Sequence, residues 1–154
     1  MQKFELSAKE LGVTVSLDIQ QDMPWVQADV ALIERVLDNL IENALRHSPR
    51  GGGVAITMTV QGDQVRLEVT DSGPGLTPDQ VSRVFDRFYR SDPGRSADTG
   101  HAGLGLAIVK NILELHGATI AVDGRPGLGA CFYFKLPIAL SAQRAGAKAA
   151  SGIG

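Results

Sequence analysis

The sequence predicts a two-layer α+β sandwich, in which a helical layer covers one face of a mixed, mainly antiparallel sheet. Segments that alternate between apolar and polar residues, as half-buried strands do, are interleaved with segments of helical periodicity. Two of the strand-like segments, 54–60 and 65–69, flank a tight Gly62-Asp63 turn and form an antiparallel hairpin. The 154 residues, 44% of them hydrophobic, suit a single core, and neither an internal repeat nor a second domain is visible.

The first half of the chain supplies one long helix and three strands. Residues 13–19 alternate as a strand should. Asp29 is a suitable N-cap for a helix that runs to about His47, where the segment 48–51, Ser-Pro-Arg-Gly, ends it. The apolar residues of the hairpin then face one side of the sheet, and Asp71 falls on that inward face.

The second half completes both layers. It supplies a short helix, an amphipathic helix closed by Gly117 and two last strands, at 78–84, 104–116, 118–124 and 130–137. The segment 91–103 is too polar and glycine-rich to pack as an element, so we interpret it as a mobile flap. From Ala139 the chain has no apolar period, which predicts a domain at 1–138 and a disordered tail at 139–154.

Composition argues against several partners and locations. A net charge of −2 gives no bulk attraction to nucleic acid or to an anionic membrane, so neither is an expected partner. No apolar run approaches the roughly 20 residues that span a bilayer, and the N-terminus does not resemble a signal peptide. The single cysteine, Cys131, lies in the apolar run CFYFKLP and is interpreted as a buried thiol in a reducing compartment. We therefore expect a cytoplasmic domain that is a monomer on its own.

Three polar segments interrupt these apolar elements and together predict a nucleotide pocket. Asn39 and Asn43 are four residues apart, so both carboxamides lie on one face of the long helix. The segments DSGPGL (71–76) and GLGL (103–106) let the backbone approach phosphate groups closely. Each motif also has a purely structural interpretation. The asparagines could lie on a solvated helix face, and Asp71 could cap its own Ser-Gly turn. The second glycine segment could be a hinge before a packing helix.

With these motifs the chain resembles the catalytic, ATP-binding domain of sensor histidine kinases, in the wider family that includes gyrase and MutL. The resemblance covers about 10–137 and implies the Bergerat fold. It rests on an N box (Asn39 to His47), a first glycine box (Asp71 to Gly75), an F box (Phe85 to Arg90) and a second glycine box (Gly103 to Leu106). Each box alone is a weak signal, whereas four in this order are a strong one.

The resemblance also implies the ligands and the residues that hold them. Asn43 is implied as the ligand of Mg²⁺, with Asn39 beside it in the catalytic stripe. Asp71 would accept a hydrogen bond from the exocyclic amine of adenine, which selects ATP over GTP. The residues implied around the nucleotide are Asn39, Asn43, Arg46, His47, Asp71, Gly73, Gly75, Leu76, Arg87, Phe88, Arg90, Gly103, Leu104, Gly105 and Leu106.

Some of these assignments have an alternative in the residue chemistry. His47 stands at a helix end, where a histidine also interacts with the helix dipole. The F-box arginines suit a solvated face, and Phe85 and Phe88 suit core or lid packing. The chain departs from the family pattern at His101-Ala102, and it has Ala130 where many relatives carry a threonine near adenine.

Two missing groups refine the expected activity. Hydrolysing members of the wider family carry a glutamate, the general base, where this chain has Asn39, and an amide cannot take up a proton at neutral pH. None of the three histidines has the context of a phosphoacceptor. The resemblance thus implies a bacterial kinase domain that presents Mg-ATP for γ-phosphoryl transfer to a histidine on a dimerisation domain of its parent, which then serves a response regulator. The parent would be either free or anchored in the inner membrane. The alternatives are a nucleotide-binding pseudokinase and a hydrolysing ATPase.

Overall fold

Five strands form one mixed sheet in the computed structural model, which describes residues 2–89, 104–124 and 126–139. The strand order is β1-β2-β3-β5-β4. β1 pairs with β2 in parallel, and the three other pairs are antiparallel. The strands are β1 (Thr14–Ile19), β2 (Gly53–Gln61), β3 (Gln64–Asp71), β4 (Ala121–Gly124) and β5 (Ala130–Pro137).

Helices cover one face of this sheet, as the sequence predicts. They are α1 (Gln2–Leu11), α2 (Val30–His47), α3 (Pro78–Arg83) and α4 (Gly105–Leu115). Asp29 is the N-cap of α2, because its side chain accepts a hydrogen bond from the Leu32 N–H at 3.1 Å. The helix ends at His47, and its C-cap Ser48 is extended because a residue that precedes proline, here Pro49, avoids the helical conformation.

The core lies between the helices and one face of the sheet. Strand register places Ile56 opposite Val69, and Val69 opposite Phe132, so successive strands present apolar side chains to the same side. The fully buried residues on α2 and α4 pack onto that face, among them Val36, Leu40, Val109 and Leu113. Asp71 is paired with Val54 at the end of β3 and therefore faces this core, as the alternation predicts.

Two differences concern the ends of the chain. The sequence analysis assigned no element before residue 13, but α1 occupies 2–11 and buries Phe4 and Ala8, which are one turn apart. Leu6 and Leu11 are exposed although apolar, which obscures the buried face in the sequence, and a helix of ten residues is stabilised by packing rather than by propensity. At the other end, the Ala139 N–H donates to the Trp25 carbonyl at 2.8 Å. The rest of the expected tail, 140–154, lies outside the described residues.

The prediction of a buried thiol at Cys131 is wrong. Phe132 and Phe134 occupy the core face of β5, so Cys131 points to the opposite face and is half-buried. This partial burial raises the pKa of the thiol, while a hydrogen bond with Thr70 lowers it. Separately, none of the described helices is long and apolar enough to cross a membrane.

Candidate functional site

Asn43 and Asp71 are the two buried polar side chains of the described part of the chain. Each is only 5% exposed. Asn43 lies on α2 beside Ala44, and Asp71 is the last residue of β3. Because a buried polar group without a partner costs free energy, each of these side chains requires hydrogen bonds from the protein or from a ligand.

Four polar residues, Asn39, Asn43, Arg46 and His47, lie along the second half of α2. Asn39, Arg46 and His47 are half-buried. Arg46 donates a hydrogen bond from Nη2 to the Asn43 Oδ1 at 3.5 Å. Burial lowers the pKa of Arg46, and the negative charge of Glu42 opposes that effect. The Arg46 Nε is buried and has no hydrogen-bond partner among the described residues, so it can donate to a further acceptor.

The Asp71 carboxylate is held by the backbone. Its Oδ1 accepts from the Gly73 N–H at 2.8 Å, and the Ala130 N–H also donates to the carboxylate. Burial raises the pKa of Asp71, and these two hydrogen bonds lower it. Asp71 therefore caps its own turn, as one reading of the sequence allowed. An ionised carboxylate has about four acceptor positions, so capacity for a further donor remains.

The first glycine box lies directly against the end of α2. A methyl group on Gly73 would overlap the carbonyl oxygen of His47, so only glycine permits this approach. Gly75 adopts a positive φ of 75°, which suits glycine, and the turn then leads to Leu76, which is buried against Gly124. The structure thus brings the ends of the N box and the first glycine box together.

Three residues outside the set predicted to surround the nucleotide support the position of Asp71. The Ser72 hydroxyl bridges both backbone groups of Gly53 on β2, at 2.8 and 3.1 Å. Gly129 has a φ of 81°, and a methyl group there would overlap the Asp71 carbonyl oxygen. Ala130 contributes its N–H rather than its side chain. The Gly-Leu-Gly turn at 127–129 was the available sequence signal, since two close glycines before a strand indicate a tight approach.

The second glycine box is described only from Leu104 onward. Leu104 is the N-cap of α4, and its side chain accepts no hydrogen bond from the helix. The N–H groups of the first turn also have no partner within the helix, so they can donate to another acceptor. Gly105 opens the helix, and Leu106 packs against the core. Gly103, with the departures at 101–102, lies outside the described residues.

The F box divides into a core anchor and an exposed turn. The rings of Phe85 and Phe132 pack edge to face with their centroids 5.9 Å apart, which confirms the core role of Phe85. Phe88 is 63% exposed and has a positive φ of 64°, and the Arg87 guanidinium lies 5.5 Å from its ring. Contact of Arg87 and Phe88 with a nucleotide stays a prediction. Arg90 and the expected flap at 91–103 lie outside the described residues.

Comparisons with known proteins agree with this fold. The family model described as "Histidine kinase-, DNA gyrase B-, and HSP90-like ATPase" matches residues 28–140. The alginate biosynthesis sensor protein KinB of Pseudomonas aeruginosa is 43% identical over 137 residues, which are 89% of this chain and 22% of KinB. The chain spans about a fifth to a third of the length of the curated relatives that it matches.

Two solved structures share the fold. The catalytic domain of histidine kinase ThkA has a TM-score of 0.77 and 28% identity, covering 89% of this chain and 86% of that one. Full-length ShkA in complex with AMPPNP has a TM-score of 0.77 and 32% identity, covering 90% of this chain and 28% of that one. On the match of the family model to most of its length, the chain belongs to the histidine kinase-, DNA gyrase B- and HSP90-like ATPase family.

Proposed function

We propose that this chain is the ATP-binding catalytic domain of a two-component sensor histidine kinase. It would hold Mg-ATP and present the γ-phosphate to a histidine on a separate dimerisation domain of the same parent protein. Phosphoryl transfer needs little covalent chemistry from the protein, so the domain acts by positioning and electrostatics. The similarity to sensor histidine kinases and the likeness to a kinase catalytic domain support this interpretation over a pseudokinase or an ATPase.

The observation that carries the proposal is that the two buried polar side chains of the described residues lie on α2 and β3, whose C-terminal ends adjoin. Asp71 and Asn43 are held at fixed positions in an otherwise apolar core, and Gly73 brings their elements into contact. A carboxylate with spare acceptor positions suits the exocyclic amine of adenine, where guanine instead presents a carbonyl oxygen. We therefore infer that Asp71 selects adenine.

The residues near Asn43 fit a triphosphate and its metal. The Arg46 Nε is a buried cationic donor to which the described residues offer no acceptor, and such a donor suits a phosphate oxygen. The uncapped first turn of α4 supplies further N–H groups for anionic oxygens. Mg²⁺ prefers oxygen ligands and keeps phosphate oxygens and water in its shell, so the Asn43 carboxamide oxygen is a chemically suitable protein ligand. When bound, the metal would neutralise charge on the phosphates.

The same residues favour transfer over hydrolysis. Asn39 lies one turn before Asn43, at the position where a general base would have to act, and its amide cannot accept a proton. Glu42 is displaced about 100° around the helix from Asn43, and its charge acts on Arg46. The domain would therefore leave the γ-phosphate intact until an acceptor arrives. The proposed partners are therefore that acceptor and a downstream response regulator, and the proposed location is the cytoplasm.

Phosphotransfer to a purified acceptor tests the proposal. The chain, γ-labelled ATP and Mg²⁺ are mixed with a dimerisation domain that carries the phosphoacceptor histidine, and label on that domain is followed with time. We expect labelling with ATP, little with GTP, and loss of labelling in Asn43→Ala. A chain that binds ATP tightly but labels no acceptor from any sensor kinase that resembles it would favour the pseudokinase instead.

A further inference from the structure

We propose that Arg46 is a positioning residue that couples the metal ligand to the phosphates. One N–H of its guanidinium group holds the Asn43 carboxamide oxygen, and another is left to bind a phosphate oxygen. This inference rests on the proposed function, and it gives Arg46 a role beyond that of a phosphate contact. The coupling would make the orientation of the metal ligand depend on one side chain of the same helix face.

The hydrogen bond from Arg46 decides which end of the Asn43 carboxamide faces the site. The oxygen and nitrogen of an asparagine side chain exchange places by rotation about a soft terminal torsion. A permanent cation that donates to this group favours the rotamer with the oxygen toward it, because the amide nitrogen carries hydrogens of like partial charge. The Nη2 to Oδ1 contact at 3.5 Å, between residues three apart on α2, places that cation beside Asn43. A carbonyl-type oxygen has a second lone pair, which stays available for a metal ion.

A different atom of the same guanidinium supplies the link to the phosphates. Nε is buried and has no partner among the described residues, while Nη2 is the atom that contacts Asn43. The planar group has five donors in fixed directions, so it can serve two acceptors at once. A lysine has the same charge but concentrates it at one flexible ammonium, so it would not hold both acceptors in fixed geometry.

The magnesium dependence of nucleotide affinity separates this role from a simple phosphate contact. A residue that only binds phosphate contributes to nucleotide affinity both with and without Mg²⁺. A residue that orients the metal ligand contributes to that affinity mainly when Mg²⁺ is present. Calorimetric titration of the full chain with AMPPNP, in Mg²⁺ and in EDTA, gives the ratio of the two dissociation constants. The variants are Arg46→Lys, Asn43→Ala and the double variant, and Arg35→Lys, which changes an exposed arginine of α2, is the matched control.

We expect Mg²⁺ to tighten binding to the wild type and to Arg35→Lys, and to have little effect on Asn43→Ala. In Arg46→Lys, the ratio of the dissociation constants in EDTA and in Mg²⁺ should fall about tenfold, which is the scale of one hydrogen bond to a charged group. The affinity of this variant for AMPPNP should fall less in EDTA than in Mg²⁺. In the Asn43→Ala background, Arg46→Lys should cause no further loss of that gain. Arg46→Gln serves in its place if the lysine variant does not fold by circular dichroism.

An unchanged magnesium-dependent gain in a folded Arg46 variant would overturn the coupling and leave the proposed function standing. Equal losses in Mg²⁺ and EDTA would also overturn it, because they describe a phosphate contact alone. A wild type that binds no nucleotide, or binds it without any effect of Mg²⁺, would instead overturn the metal-dependent function from which the inference starts.

Discussion

Asp71 shows how one residue at the site is constrained both by its backbone and by its burial. The N–H groups of Gly73 and Ala130 stabilise its ionised form, but burial opposes ionisation more strongly and leaves the pKa above its ordinary value of 3.8. A carboxyl group whose pKa is raised on folding binds protons more readily in the folded state. Folding stability therefore falls as the pH rises from the unfolded-state pKa through the folded-state pKa.

This pKa shift leads to a prediction about Asp71→Asn. The variant removes the titrating group, so it should lack the part of the pH dependence that Asp71 causes. It also places an NH₂ group where the wild type accepts two backbone N–H groups, which should lower stability at every pH. We expect the wild type to gain stability relative to the variant as the pH is lowered from 7 toward about 4.

Urea denaturation of both proteins across that pH range measures the difference. Asp79→Asn, an exposed aspartate in the first turn of α3, is the matched control, and it should not reproduce the trend. If the difference between wild type and Asp71→Asn stayed constant with pH, the raised pKa of Asp71 would be refuted.

At the scale of the elements, a histidine joins the two helices that frame the site. His116 ends α4, and its Nε2 accepts a hydrogen bond from the backbone N–H of Asp29, the N-cap of α2, at 3.0 Å. Its Nδ1 lies 2.8 Å from the Ile112 carbonyl oxygen and donates to it, because the other ring nitrogen must be the acceptor. The sequence indicated only a residue at a helix end, since a partner 87 positions away leaves no local pattern.

Replacing His116 should weaken the fold without changing nucleotide affinity. His116→Phe keeps an aromatic ring but removes both hydrogen bonds, so we expect a loss of about 1–2 kcal/mol in the free energy of unfolding. Asp29 and Asn43 are 14 residues apart on α2, about 21 Å along its axis, so the site should retain its geometry once folded.

Denaturant unfolding and AMPPNP titration test the two halves of this expectation. His116→Gln, which keeps one donor and one acceptor, should lose less stability than His116→Phe. Wild-type stability in the phenylalanine variant would show that the link between α2 and α4 contributes nothing, and a large loss of nucleotide affinity would show that the two ends of α2 are not independent.

The elements also show where sequence reasoning succeeds and fails. α2 and the β2–β3 hairpin were predicted because their signals are local: a capping aspartate, a Ser-Pro stop and a glycine turn between alternating strands. α1 was missed because it has few buried residues. The support of Asp71 by Ser72, Gly129 and Ala130 was missed because it depends on strands brought together only by the fold.

At the scale of the whole molecule, the order of motifs predicted more than any single residue could. The two-layer fold is confirmed, and so is the placement of Asp71 on the core face, because alternation along β3 fixes which side each residue takes. The roles of Asn43 and Asp71 toward a nucleotide stay predictions. Their burial and the contact of Gly73 with α2 make those roles physically reasonable.

The proposed function leads to a prediction about the chain on its own. Under that function ATP must stay intact until an acceptor histidine arrives, and an amide such as that of Asn39 cannot act as the base that activates water. We therefore expect the wild-type chain to bind Mg-ATP, to release phosphate at a negligible rate and to leave its own histidines unlabelled. A coupled phosphate assay and γ-labelled ATP measure both, with Asn43→Ala as the control for contaminating ATPases.

Steady phosphate release by the wild type that Asn43→Ala abolishes would mean that the site itself hydrolyses ATP, because a contaminant would not respond to a substitution in this chain. The domain would then be an ATPase rather than the phosphate donor of a histidine kinase.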